Sequence, residues 1–311
     1  MARTQTLDAS TVHYEWNNAL PPRLEIEPGD TVVFDTRDAA DRFYSRASTH
    51  EEVLKRVFRG HPLTGPVRVR GARPGDVLVV EVLEMIPLAD FGWTQIRPGR
   101  GLLPETDFAK PYLQIWDLSD GAHARMDRRV AVPLVPFPGV MGTALDEPGG
   151  HSTMPPRKNG GNMDIKQLAA GTTLYLPVWV DGALFSIGDG HGAQGDGEVC
   201  ITAVEMMARV TLRFGLQSGR RLPEPRFRVP GPLSGMTRPG PWFATTAHGP
   251  DLFASSQQAV RHMIEHLVEE RGLSREEAYI VCSVAVDLKI SEIVDAPNWI
   301  VSAFLPESIF V

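Results

Sequence analysis

Apolar residues along this chain fall into short runs, and their spacing changes about two thirds of the way through. In the first part they follow turn signals: Glu27-Pro28-Gly29-Asp30 leads into Thr31-Val32-Val33-Phe34, and Arg73-Pro74-Gly75-Asp76 into Val77-Leu78-Val79-Val80. Pro-Gly sets a turn, the following apolar run makes a strand, and Asp30 and Asp76 are expected to bond their own turns. Residues 169–180 are a looser third copy. Residues 87–158 hold few long periodic runs; isolated aromatics (Phe91, Trp93, Phe108, Tyr112, Trp116, Phe137) stand among Pro and Gly, as expected of extended loops over a core. In the last part the period becomes helical. Ala259, Val260, Met263, Ile264, Leu267 and Val268 predict a helix over 255–271 that stops at Gly272. Ser274 and Glu277 form a capping box for a second helix, and a strand over 299–305 follows the turn at Pro297-Asn298.

These patterns predict a mainly β fold with an α/β C-terminal portion. The body is a β-sandwich or barrel over residues 1–220, residues 221–250 are a stiff connector, and residues 251–311 a smaller α+β unit packed on the body. Pro223, Pro225, Pro230, Pro232, Pro239 and Pro241 mark the connector. The 29 glycines and 26 prolines in 311 residues exceed the roughly 12% average for the pair, which favours many short elements. A formal charge of −7 argues against nucleic acid, whose phosphates call for clustered Lys and Arg. No apolar run reaches membrane-spanning length and the first residues lack a signal-like apolar core, so a cytoplasmic protein without membrane contact is expected. Cys200 and Cys282 sit in apolar runs, as buried thiols do.

Chemistry concentrates in residues 186–206, where Asp189, His191, Gln194, Asp196 and Glu198 stand among five glycines. Glycine at Gly188, Gly190, Gly192, Gly195 and Gly197 leaves the backbone free for positive φ. Gly190, Gly192 and Gly195 spell a dinucleotide-like G-x-G-x-x-G, but residues 198–204 read as another strand where that fingerprint requires a helix. Asp189 and His191, two apart, leave one strand end together. Three further loops carry polar groups: Asp35 and Asp38; His61; and Asn159, Asn162 and Asp164, the last an alternative N-cap for a short helix at 165–168. His262 and His266 lie one helical turn apart without a third ligand.

Several of these stretches together resemble the acetamidase/formamidase family: His61-Pro-Leu-Thr-Gly-Pro-Val67, Gly160-Gly-Asn-Met-Asp164, Leu174-Tyr-Leu-Pro-Val178, Gly188-Asp-Gly-His191 with Gln194-Gly-Asp-Gly-Glu198, and Cys282-Ser-Val-Ala-Val-Asp-Leu288. Gly192 departs from the pattern, which has alanine after the histidine. The resemblance implies hydrolysis of small amides to ammonia and carboxylate, a cytoplasmic homo-oligomer and a metal ion. On that footing Asp38, Asp164, Asp189 and His191 are the expected ligands of a divalent ion, zinc for a mixed carboxylate and imidazole shell. The ion would acidify a water and polarise the carbonyl. Glu198 is the expected general base, with Asn162 and Gln194 orienting the amide or its oxyanion. Glu198 as a ligand, and Asp35 in place of Asp38, stay open. So do a γ-lactam substrate, with Trp93, Trp116 and Phe185 bearing on pocket size, and a non-catalytic metal-stabilised binding scaffold.

Overall fold

Both Pro-Gly-Asp turns close as expected. Asp30 accepts from Glu27 N at 3.0 Å and Asp76 from Arg73 N at 2.9 Å. Each turn feeds a strand, Thr31–Thr36 and Val77–Pro87. The computed structural model describes residues 2–231 and 240–311, so Pro232 and Pro239 of the expected connector lie outside the described residues. The two strands flank Ala208–Gln217 in a six-stranded sheet that runs Thr4–Leu7, Thr31–Thr36, Ala208–Gln217, Val77–Pro87, Thr173–Pro177, Arg226–Arg228. Thr173–Pro177 is the strand of the third, looser copy.

The second large sheet has ten strands. Its main path runs Ala131–Pro133, His123–Arg125, Tyr112–Asp117, Phe91–Ile96, Glu205–Met206, Phe185–His191, Phe137–Gly142, Gly160–Asn162, and Thr64–Val69 joins Phe185–His191 to Leu24–Ile26. Most of that path comes from residues 87–158, which corrects the expectation of extended loops there. The missing signal has a physical cause: Phe137–Gly142 is buried at every position and Phe91–Ile96 at all but the first. A strand covered on both faces shows no alternation of apolar and polar residues.

The fold is thus mainly β with few helices, and among the described residues no sheet closes into a barrel. One contiguous core takes Phe34, Val80 and Phe214 from the first sheet, Trp116, Met141 and Phe185 from the second, and Met263, Tyr279 and Ala303 from the C-terminal part. The two helices there follow the predicted periodicity. Leu252–Arg271 is capped by Asp251, whose carboxylate accepts from Ala254 N, and ends on Gly272 at φ 63°. Arg275–Ala285 carries the full Ser274/Glu277 capping box. Both helices accompany a three-stranded sheet, Trp242–Gly249, Trp299–Pro306, Asp287–Glu292. Among the described residues no helix is long and apolar enough to cross a membrane.

Candidate active site

The strand Phe185–His191 runs through the middle of the larger sheet, and its register assembles the site. On one side His191 pairs with Glu205, on the other with Phe137, and the Phe137–Gly142 strand in turn pairs with Gly160–Asn162. Sheet pairing therefore brings residues from three distant stretches together. His191 Nε2 lies 3.4 Å from Asp189 Oδ2 and 3.4 Å from Glu205 Oε1, and its Nδ1 lies 4.0 Å from Asp164 Oδ1. Possible ligand atoms of Asp164, Asp189 and His191 lie within 4.8 Å of one another, as do those of His191, Glu198 and Glu205.

Glu198 reaches the cluster because residues 198–204 are not the expected strand. They turn repeatedly, with Glu198 and Ile201 at φ 44° and 70°. The donors that a sheet ladder would have paired go elsewhere: Ile201 N to Glu198 O, and Cys200 N to Ser283 Oγ on the second C-terminal helix. Val199, Thr202 and Val204 are buried as in a core strand, but the backbone that carries them forms no strand. The glycines also act differently from expectation. Of the five, only Gly197 has positive φ, whereas Asp164 (48°), Asp189 (59°) and Glu198 (44°) carry that backbone strain themselves. Gly188 and Gly190 are needed for close approach: a Cβ there would stand 2.6 Å from Pro62 O and 2.7 Å from Met206 O. Asp164 caps no helix, because residues 165–168 form only a turn.

His191 donates from Nδ1 to Gln194 Oε1 (2.9 Å), and Gln194 Nε2 donates to the Asp164 carbonyl (2.7 Å). The first bond turns the Nε2 side of the ring toward Asp189 and Glu205. Burial opposes charge on His191, but the Glu205 and Asp189 carboxylates outweigh it and hold the imidazole well above its ordinary pKa. Burial, with the neighbouring acids, pushes Asp164 up to about 8, Glu205 up to about 7 and Glu198 well above the carboxylate range. Asp189 goes the other way: His191 and His61 overcome its burial and hold it ionised. His61 Nε2 is 3.8 Å from Asp189 Oδ2 while Nδ1 meets the Thr153 hydroxyl at 3.1 Å; burial pulls this imidazole below its ordinary pKa, against the pull of the Asp189 carboxylate.

Such crowding of acids asks for a cation. Asp164 Oδ1, Asp189 Oδ1, His191 Nε2 and Glu205 Oε2 are buried without a hydrogen-bond partner among the described residues. Gly139 leaves the hollow between them open, since a Cβ there would stand 2.6 Å from Asp164 Oδ1 and 2.9 Å from Asp189 Oδ2. Three carboxylates and an imidazole are a donor set that suits a divalent metal.

The cluster forms the floor of a cavity of about 410 Å³. Asn162, Asp164, Asp189, Glu198 and Glu205 line it, together with His61 and Trp93. Of the expected site residues, Asp164, Asp189, His191, Glu198, Asn162 and Gln194 come together. Gln194 has both side-chain ends engaged within the cluster and does not line the cavity.

Asp38 does not join the groups of close ligand atoms. Its oxygens accept from Ala40 N, Arg42 N and Trp93 Nε1, so it shapes a buried turn under the cavity wall. Asp35 pairs with Arg209 through two bonds on the outside of the first sheet, and Asn159 is buried with Nδ2 bonded to Thr143 O. Trp116 and Phe185 belong to the core alone. Cys200 is buried and donates to Thr202 O at 3.6 Å. Glu205 was missed, because only its register opposite His191 marks it. His61, from the Gly60-His61-Pro62 loop, lines the cavity beside Asp189.

A family model described as the Acetamidase/Formamidase family matches residues 1–149 and 147–311. The chain is 28% identical to a formamidase from Methylophilus methylotrophus, over 96% of this chain and 89% of that protein. Among solved structures, a gamma lactamase from Delftia acidovorans aligns with a TM-score of 0.90 at 27% identity, covering 99% of this chain and 93% of the other. An acetamidase from Bacillus halodurans aligns with a TM-score of 0.69 at 32% identity, covering 98% and 100%.

Proposed function

This chain belongs to the acetamidase/formamidase family, and we propose that the cavity over Asp164, Asp189, His191, Glu198 and Glu205 is the active site at which it hydrolyses small amides. The observation that carries this reading is the convergence of a cation-ready acid cluster and a half-buried Glu198 on one floor. Asp164, Asp189, His191 and Glu205 would hold a divalent ion, zinc by the mixed oxygen and nitrogen donor set. Such an ion, when bound, supplies Lewis acidity that polarises the amide carbonyl and makes a water easier to deprotonate.

The rest falls to the chain's own groups. Water attacks the carbonyl carbon, the C–N bond breaks, and the carboxylic acid and ammonia so formed leave as carboxylate and ammonium after proton transfer. Glu198 takes the proton of the attacking water and passes it to the departing nitrogen. Its burial raises its proton affinity, which suits a group that must hold that proton between the two steps. Asn162 donates from Nδ2 to Met154 O, leaving a buried Oδ1 to accept from the substrate NH₂. Gln194 acts through His191, fixing its tautomer and tilt.

The body is read as a sandwich of the two large sheets, supported by the core they share. Family resemblance supports a cytoplasmic homo-oligomer. A γ-lactam is the second substrate reading, favoured by the likeness to the Delftia protein. Ammonia release from formamide, acetamide and propionamide, and ring opening of a γ-lactam, measured before and after chelation with zinc add-back, test the proposal. Asp189→Asn should lose both bound metal and turnover. Full activity in that variant, or turnover indifferent to thorough metal removal, overturns the assignment.

A further inference from the structure

The cavity is larger than formamide or acetamide requires. About 410 Å³ falls in the range of roughly 300–1,000 Å³ typical of pockets that enclose whole ligands. A molecule of three or four non-hydrogen atoms displaces only a few waters at about 30 Å³ each. The remaining wall has a chemistry that amide cleavage does not use. Beyond the acids it presents Arg56, Arg97 and Arg100, with the exposed aliphatic side chains of Leu54 and Val57.

Among the described residues none of these three guanidiniums makes an ion pair with a carboxylate, in contrast to Arg261 on Asp107 or Arg209 on Asp35. Arg56 reaches the Ala39 carbonyl, and Arg97 the carbonyls of Val53 (2.8 Å) and Arg56 (3.1 Å). Carbonyls orient a guanidinium without cancelling its charge. Arg56 is half-buried beside the rings of Phe58 and Trp93, 5.6 and 5.8 Å from their centroids, so it has lost part of its water as well. Arg97 and Arg100 share one turn, closed by Arg100 N on Arg97 O at 3.0 Å, directly after the strand Phe91–Ile96. The Arg100 side chain has no hydrogen-bond partner among the described residues. One cavity therefore combines an acid floor, an aliphatic strip and guanidiniums with no carboxylate in ion-pair contact among the described residues.

We propose that this site takes linear amides whose far end is a carboxylate, with a short methylene spacer lying along Leu54 and Val57 and the carboxylate held by Arg97 and Arg100. Resting on the amidase reading, the proposal narrows its substrate class. The guanidinium fork matches a carboxylate in two parallel bonds, which a neutral acyl chain cannot use.

Steady-state ammonia release from succinamate and from its neutral counterpart valeramide decides it. At low ionic strength the expected kcat/KM for succinamate exceeds that for valeramide at least tenfold. Arg100→Ala should cut that ratio at least fivefold, Arg100→Lys should retain part of it, and Arg100→Glu should bring it below one. Arg100 is exposed in a surface turn, so these variants keep the fold. Equal or faster turnover of valeramide by the unaltered protein, or a ratio unmoved in Arg100→Glu, overturns the proposal and leaves the amidase reading standing. Absence of ammonia from every amide overturns both.

Discussion

A methyl group placed on Gly139 would stand 2.6 Å from Asp164 Oδ1, 2.8 Å from His191 Cε1 and 2.9 Å from Asp189 Oδ2. Ordinary contact begins at about 3.4 Å, so Gly139→Ala forces these groups outward by roughly 0.8, 0.6 and 0.5 Å at once. His191 cannot yield freely, being held by Gln194 and the sheet register. A shift of this size in a reacting geometry costs on the order of 100-fold in rate, about 2.7 kcal/mol on the barrier. Overpacking costs only about 1–3 kcal/mol of fold stability, within the usual margin of about 5–15 kcal/mol. The variant should therefore melt cooperatively yet release ammonia at about 1% of the normal rate, with weakened metal retention. Gly192→Ala is the control. Its Cβ meets only side-chain atoms, Leu134 Cδ2 at 3.0 Å, Met206 Sδ at 3.3 Å and Val204 Cγ1 at 3.4 Å, so activity should stay within about threefold. Normal kcat/KM in Gly139→Ala, with an unchanged melting curve, would refute the reasoning that this hollow must stay open for catalysis.

Two further outcomes are expected. Burial pushes the Cys200 thiol up to about 11 and raises Cys282 as well, so at pH 8 both stay protonated and resist thiol reagents in the folded protein, becoming reactive in guanidinium; Cys200→Ala should keep its turnover. Rapid labelling of native Cys200 that tracks loss of activity would contradict this. Lys166→Met leaves the buried Asp287 only the exposed Lys289, 3.9 Å away, as a cationic partner and should cost about 3 kcal/mol in urea unfolding, whereas a change below about 1 kcal/mol would show that the buried pair contributes little.

The helices and turns were legible because their signals are local. Ser274, Glu277 and Gly272 specify their caps by identity alone, and Asp30 and Asp76 close turns with their own neighbours. Residues 186–198 were legible as a candidate site because charge crowded among glycines has little value for packing. What could not be read depends on partners far away in sequence. Glu205 matters because it faces His191 across a ladder, and Gly139 because of the three side chains above it. Asp38 shows the converse. A carboxylate after a strand looks like a ligand until the Ala40, Arg42 and Trp93 donors that occupy it are known. Residues 198–204 combine strand-forming identities with a path fixed by Ser283, which no local pattern reveals.

That last dependence reaches beyond the folded enzyme. Gly195 N donates to Ser283 O, Asp196 N to Asp287 Oδ1, and Leu288 N to Asp196 O, while a Cβ on Gly195 would stand 2.0 Å from Val286 O. The acid-bearing loop is thus laced to a segment made some ninety residues later. A ribosome that has released the chain through Gln217 has exposed every acid of the site and both large sheets except Arg226–Arg228, yet the loop still lacks the surface that bends Glu198 into place. Hydrolytic activity should therefore arise only once Ser283 to Leu288 are free to pack on the loop, and stalled chains ending before Ser283 should carry the complete set of acids and no turnover.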